Sequence, residues 1–303
     1  MLEHDDAETD GAAPSVLPLR SGVQPVRAHV AVWSWLALGV VVALLGTLLL
    51  VKVVGGTDAP HTALALTSSQ VFGEVTGVRT SVADDVGVAS PTVPVVPPTV
   101  VTGTLLQTVV GAKGLALPEV LYLGTEFCSF CAAERWPLIV ALSRFGSFNQ
   151  LFDMQSSPVD YAPGTPTFSF DDTTYASRYL VFQPFEVQSD VLGAHGYTPL
   201  MAVPTDVRRV LDRFDPTSTY PFVDIANHVV VLQANLSPET FAGLTRDQIA
   251  AGLGDPTNAV TRAILTAANE LTASICHVDN EQPGHVCRSI GVRRADAALG
   301  FRG

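Results

Sequence analysis

The residues best suited to chemistry are Cys128-Ser129-Phe130-Cys131, which follow a short apolar run, Val120-Leu121-Tyr122-Leu123-Gly124. That run predicts a buried strand. The residues after it, from Cys128 to about Phe145, carry apolar side chains at 130, 138, 139, 142 and 145, a helical recurrence that Gly146 stops. Two cysteines three apart at a helix start can close a small disulfide ring. The first thiol would meet unpaired backbone N–H groups and the positive end of the helix dipole, which lowers its pKa. Thiolates are the nucleophiles of thiol–disulfide exchange, so the position suits redox work. On this reading Cys128 attacks and Cys131 resolves. The same spacing also makes half of a zinc site.

Charged neighbours surround the pair. Glu126 precedes it, and Glu134 and Arg135 follow it. Glu126 could accept the proton of the second thiol or raise the first thiol's pKa by like charge, and a solvated acid at a helix start is the alternative. Trp136 and Pro137 read as core and kink residues. The second cysteine pair, Cys276 and Cys287, encloses ten residues including Pro283-Gly284, and reads as a structural disulfide pinning the C-terminal tail. His277 and His285 beside it raise a zinc alternative. Adjacent Cys and His side chains rarely reach one tetrahedral ion together, so no metal and no cofactor is assigned.

The elements that must position these residues follow from patterning. A short helix capped by Ser68 is expected near 68–82. Residues 165–189 alternate in two runs about Asp171-Asp172-Thr173, which predicts a β-hairpin. A helix is expected over 206–214. Two β runs, FVDIAN and HVVVLQ, meet near Asn227-His228, and Ser237 and Ser274 bracket a helical tail broken at Gly254-Asp255-Pro256. Strand, helix, then more strands and helices indicate a mixed α/β or α+β domain.

Tyr220-Pro221 stands just before the run Phe222-Val223-Asp224-Ile225. In this respect the chain is similar to thioredoxin-like folds, which place a cis-proline at a strand start beside the redox cysteines. That similarity implies that Tyr220 and Pro221 shape the edge offered to a substrate; an ordinary trans proline at a strand start is the alternative. The stretch PEVLYLGTEFCSFCAAERWPLIVALSRFGSF from Pro118, with TPTFSF, ASRYL, YTPL, YPFVDIAN and the closing Cys276…Cys287 pair, resembles the prokaryotic DUF929 family. Members are similar in having one N-terminal membrane helix and a thioredoxin-like C-terminal domain. The resemblance implies an α/β, thioredoxin-like domain with an inserted β-hairpin and a C-terminal helical extension, preceded by one N-terminal transmembrane helix. Between its cysteines this chain has Ser-Phe where relatives often have Pro-Tyr.

The remaining sequence sets the domain organisation. Between Arg27 and Lys52 lie 24 residues without formal charge, long enough as a helix (about 36 Å) to cross a bilayer. Trp33 and Trp35 lie at its N-terminal end, as interfacial tryptophans do. The acidic tail before it and the length of the run argue against a cleaved signal peptide. The expected division is a cytoplasmic tail over 1–27, a transmembrane helix over 28–51, a Pro-rich stalk over 52–112 and an extracytoplasmic domain over 113–303. Arg20 and Arg27 against Lys52 set that orientation, and a distant cysteine pair that needs an oxidising compartment agrees with it. The 303 residues carry 15% charged side chains and a net charge of −12, which argues against nucleic acid. Mean hydropathy is +0.31. There is no G-x-S-x-G, H-E-x-x-H, Walker or G-x-G-x-x-G motif.

The function expected is therefore a membrane-tethered thiol–disulfide oxidoreductase acting on exported cysteine-containing proteins, reset by a redox partner. A non-catalytic binding or scaffold module with a structural 128–131 disulfide is the alternative. A soft-metal carrier is a third reading, disfavoured because only Met154 and Met201 lie in the head.

Overall fold

Residues 117–124 are buried without interruption, which a strand achieves only when both of its faces are covered. The computed structural model describes residues 64–301, which belong to one compact unit, His61–Gly303. Along the chain these are β1 (Ala65–Leu66), α1 (Ser69–Thr76), α2 (Thr80–Val86), β2 (Thr99–Val100), β3 (Thr108–Val110), β4 (Ala116–Gly124) and α3 (Ser129–Leu142). Then come β5 (Gly146–Phe148), β6 (Phe152–Gln155), β7 (Pro166–Ser169), β8 (Tyr175–Ser177), β9 (Val181–Glu186), β10 (Gln188–Gly193) and β11 (Gly196–Pro199). The rest are α4 (Thr205–Phe214), β12 (Phe222–Ile225), β13 (Val229–Leu232), α5 (Arg246–Gly252), α6 (Ala259–Val278), α7 (Gly284–Cys287) and α8 (Ile290–Leu299).

The central sheet runs β2-β13-β12-β4-β3, and β9 also pairs with β4, in parallel. β12 lies antiparallel on the other side of β4 with Phe222 opposite Leu123, and β13 returns antiparallel beside β12. Side-chain alternation divides β4 between two cores. Val120 and Tyr122 join the large cluster built with α3 and α6, including Trp136, Ile139, Ile264 and Leu271. Leu121 and Leu123 face the other way, onto Val207 and Leu211 of α4. Helix α4 buries Val207 and Leu211, one turn apart, with Val210 and Phe214 half-buried against the same cluster, so it covers the sheet with one apolar face. Helix α3 is buried along its whole length apart from Phe130, which is why its apolar recurrence extends beyond one face.

Several expectations are corrected. The tail 1–27 and the run 28–51 lie outside the described residues. Among the described residues no helix is long and apolar enough to cross a membrane. Helix α6 has 20 residues but carries Arg262, Asn269 and Glu270 and belongs to the core. The thioredoxin-like domain led by a spanning helix is thus replaced by a mixed α/β architecture with several sheets. The described part of the expected stalk is built into the unit. Val75, Val82 and Val86 of α1 and α2 join the large core, Val95 bridges Leu236, and β2 and β3 extend the central sheet. Pro91, Pro94, Pro97 and Pro98 fit there because they lead into an edge strand, where a missing N–H is tolerated.

The hairpin expected over 165–189 is also different. β7 pairs with β6, β8 with β5 and β9 with β4, so neither run partners the other across Asp171-Asp172-Thr173. Alternation identifies strands and faces; the partner is chosen by the long-range packing. Ser274 lies inside α6 rather than at its end, with its hydroxyl donating to Glu270 O.

Candidate active site

Cys128 is the N-cap of α3, and its Sγ accepts a hydrogen bond from the N–H of Cys131 at 3.3 Å. The sulfur is half-buried, and its own proton points to Tyr220 O at 3.8 Å. Hydrogen bonding from Cys131 is the largest influence on the Cys128 thiol, and it outweighs burial to hold the pKa below the usual thiol value; Arg135 pushes the same way and Asp160 opposes. Cys131, one turn further in, is fully buried, and burial pushes its thiol well up. Thr125 N donates to Cys131 Sγ at 3.5 Å. The two sulfurs therefore differ in access and in acidity, in the sense that distinguishes an attacking thiol from a resolving one.

Below the pair lies a buried ion pair that spacing did not reveal. Arg135 donates through Nε to Glu186 Oε1 (3.0 Å) and through NH2 to Glu186 Oε2 (2.7 Å) and Thr125 O (3.0 Å). Both side chains are fully enclosed. The guanidinium also sits 5.7 Å from the centroid of the Tyr122 ring. Arg135 is the cation that favours the charged forms of both cysteines. One signal for it was available: Glu134 and Arg135 stand together in a helix that is apolar on either side.

The sequence-derived residues are placed as follows. Tyr220-Pro221 is a cis peptide, and Pro221 leads into β12 so that the Tyr220 carbonyl reaches Cys128 Sγ. Glu126 is buried and accepts from Ser169 Oγ at 2.6 Å; burial, with Glu186 adding to it, raises its pKa to about 7 despite that bond and Arg135. Glu134 is fully buried on the helix, accepts from Asn235 N at 2.8 Å, and is raised to about 8 by burial. Cys276 and Cys287 form a disulfide with Cα atoms 5.6 Å apart, joining the end of α6 to α7. The Asp279 carboxylate lies within 4.8 Å of both sulfurs. His277 stacks on Phe301 rather than turning to these sulfurs.

Two aromatic stacks flank the cysteines. Phe127 stacks on Tyr197 of β11 (3.9 Å between centroids), and Phe130 stacks on the exposed Tyr161 (5.4 Å). Tyr161 belongs to the loop 157–164, which Ser157 ties back through its N–H to Phe127 O at 2.9 Å.

Residues 114–193 match the family described as Domain of unknown function (DUF929). The matched stretch holds Cys128, Cys131, Arg135, Asp160 and Glu186 and ends before Pro221 and the Cys276–Cys287 disulfide. No curated protein and no solved structure matches the chain.

Proposed function

We propose that this domain exchanges thiols and disulfides with cysteine-containing proteins through Cys128 and Cys131. The observation that carries the reading is the asymmetry of the pair: a half-exposed Cys128 thiol made acidic at a helix N-terminus, and a buried Cys131 thiol kept protonated. In the reducing direction the Cys128 thiolate attacks one sulfur of a partner's disulfide. That S–S bond breaks, a mixed disulfide forms, and the released partner thiolate takes a proton from solvent. Cys131 then loses its proton and attacks Cys128 Sγ, which expels the second partner thiolate. Two electrons pass to the partner, its second thiolate takes up the proton that Cys131 gave up, and the 128–131 disulfide forms. The reverse sequence oxidises a partner dithiol, and a second dithiol or disulfide protein resets the pair.

The surrounding groups fit this chemistry. Glu126, with a pKa of about 7, follows Thr125, whose N–H holds Cys131 Sγ, and is the proton acceptor assigned here for the buried thiol. Tyr220 and Pro221 line the approach to Cys128, with the Tyr220 carbonyl beside its sulfur. We place the domain outside the cytoplasm, acting on exported proteins, because the Cys276–Cys287 disulfide persists only where thiols are not kept reduced.

Trapping tests the reading. Cys131→Ser should accumulate covalent partner complexes that reductant dissolves, and Cys128→Ser should accumulate none. Equal absence of trapping in both variants, together with a Cys128 that resists alkylation in the reduced protein, would defeat it.

A further inference from the structure

The first amide of α3 is not left for the cysteine. Ser129 N donates to Asp160 Oδ2 at 2.6 Å, so a carboxylate from a distant loop occupies the helix N-terminus directly beside Cys128. Asp160 is half-buried and cannot readily swing away. Its loop is fixed to the first turn of α3 and the segment before it by Ser157 N to Phe127 O, Ala162 N to Ser129 Oγ (3.4 Å) and the Phe130–Tyr161 stack. A helix N-terminus carries about half a positive charge, shared among the unpaired N–H groups of its first turn. Here two groups share it: Asp160 takes the amide of Ser129, and Cys128 Sγ takes that of Cys131.

We propose that Asp160 is a positioning residue that sets the reduction potential of the Cys128–Cys131 pair, holding a carboxylate at the helix end where the Cys128 thiolate must form. The proposal rests on the exchange reading above. Other groups acting on Cys128 come from α3, β4 and the residues leading into β12: Cys131 donates to it, Arg135 favours its charged form, buried Tyr122 is neutral, and the Tyr220 carbonyl accepts from its Sγ. Asp160 is the acid opposing Arg135. Reduction of the 128–131 disulfide takes two electrons and two protons, one proton fewer above the Cys128 pKa. A charge that destabilises the thiolate therefore destabilises the reduced form and makes the pair a better reductant. Removing it should make the pair more oxidising.

Asp160→Asn keeps an oxygen acceptor for Ser129 N and removes only the charge; Asp160→Ala removes both. In the full reduced chain, the thiolate absorbance and alkylation rate lost in Cys128→Ser are followed against pH, and the potential is read in glutathione buffers. The Cys128 midpoint should fall by about one pH unit in Asp160→Asn. A tenfold change in the exchange constant corresponds to about 30 mV, so the potential should rise by up to that amount. Asp160→Ala should move the midpoint the same way, because charge and not the hydrogen bond is the cause. Unchanged midpoint and potential in Asp160→Asn would overturn the assignment of Asp160 alone. Absence of any titrating signal that Cys128→Ser removes would overturn the exchange reading and this inference with it.

Discussion

Replacing Arg135 by Met tests whether the buried ion pair holds the site together. The substitution deletes three hydrogen bonds, two to Glu186 and one to Thr125 O, and fills similar volume with a flexible apolar chain. Glu186 would keep only the N–H of Phe170, at 3.3 Å, as a donor. A buried charge stripped of its partner costs about 3–5 kcal/mol, which includes the unpaired Thr125 carbonyl. Arg135→Met should therefore lower the stability measured by urea unfolding at pH 7 by about 4 kcal/mol. Glu186→Gln in the same chain removes the stranded charge while still accepting from Phe170 N. The double variant should recover about 2 kcal/mol or more. Because Arg135 favours the Cys128 thiolate, the thiol midpoint should rise in both variants. A single variant as stable as the parent, or a loss the double variant does not relieve, would refute the argument that the pair acts as a unit.

Cys276→Ser should lower stability by about 3 kcal/mol, from the loop-closure entropy of an 11-residue separation, while Cys131→Ser trapping proceeds unchanged; loss of trapping would give this disulfide a part in the exchange. Glu126, Asp224, Glu270 and Asp279 are raised by burial to about 7 and Glu134 to about 8. Their folded pKa values lie above the unfolded ones, so the folded state binds more protons across roughly pH 4.5 to 8, and stability should fall as pH rises through that window. Glu134→Gln should flatten part of the slope, adding on the order of 3 kcal/mol at pH 8 and little at pH 5. A midpoint for unfolding that climbs between pH 5 and 8 would contradict this.

Local pattern determined the parts of the site that are contiguous. The run before Cys128, the helix after it and the proline before β12 were legible because strands and helices announce themselves by period and punctuation, and the position of a cysteine at a helix start has chemical meaning by itself. The Cys276–Cys287 pairing was legible because a short loop with Pro-Gly brings its ends together. Strand partners were not, since a run at 165–169 alternates in the same way whether it meets β6 or β8. The Pro-rich segment reads as a spacer by composition, and only the edge offered by β13 turns its end into a strand. Tertiary structure alone decided which charges act on the cysteines. Glu186 is 51 residues from Arg135 and Asp160 is 31 from Ser129, and electrostatic influence depends on separation in space and on the loss of water around the group. Sequence could point to Cys128 as the candidate nucleophile; folding chose the cation beneath it and the anion beside it.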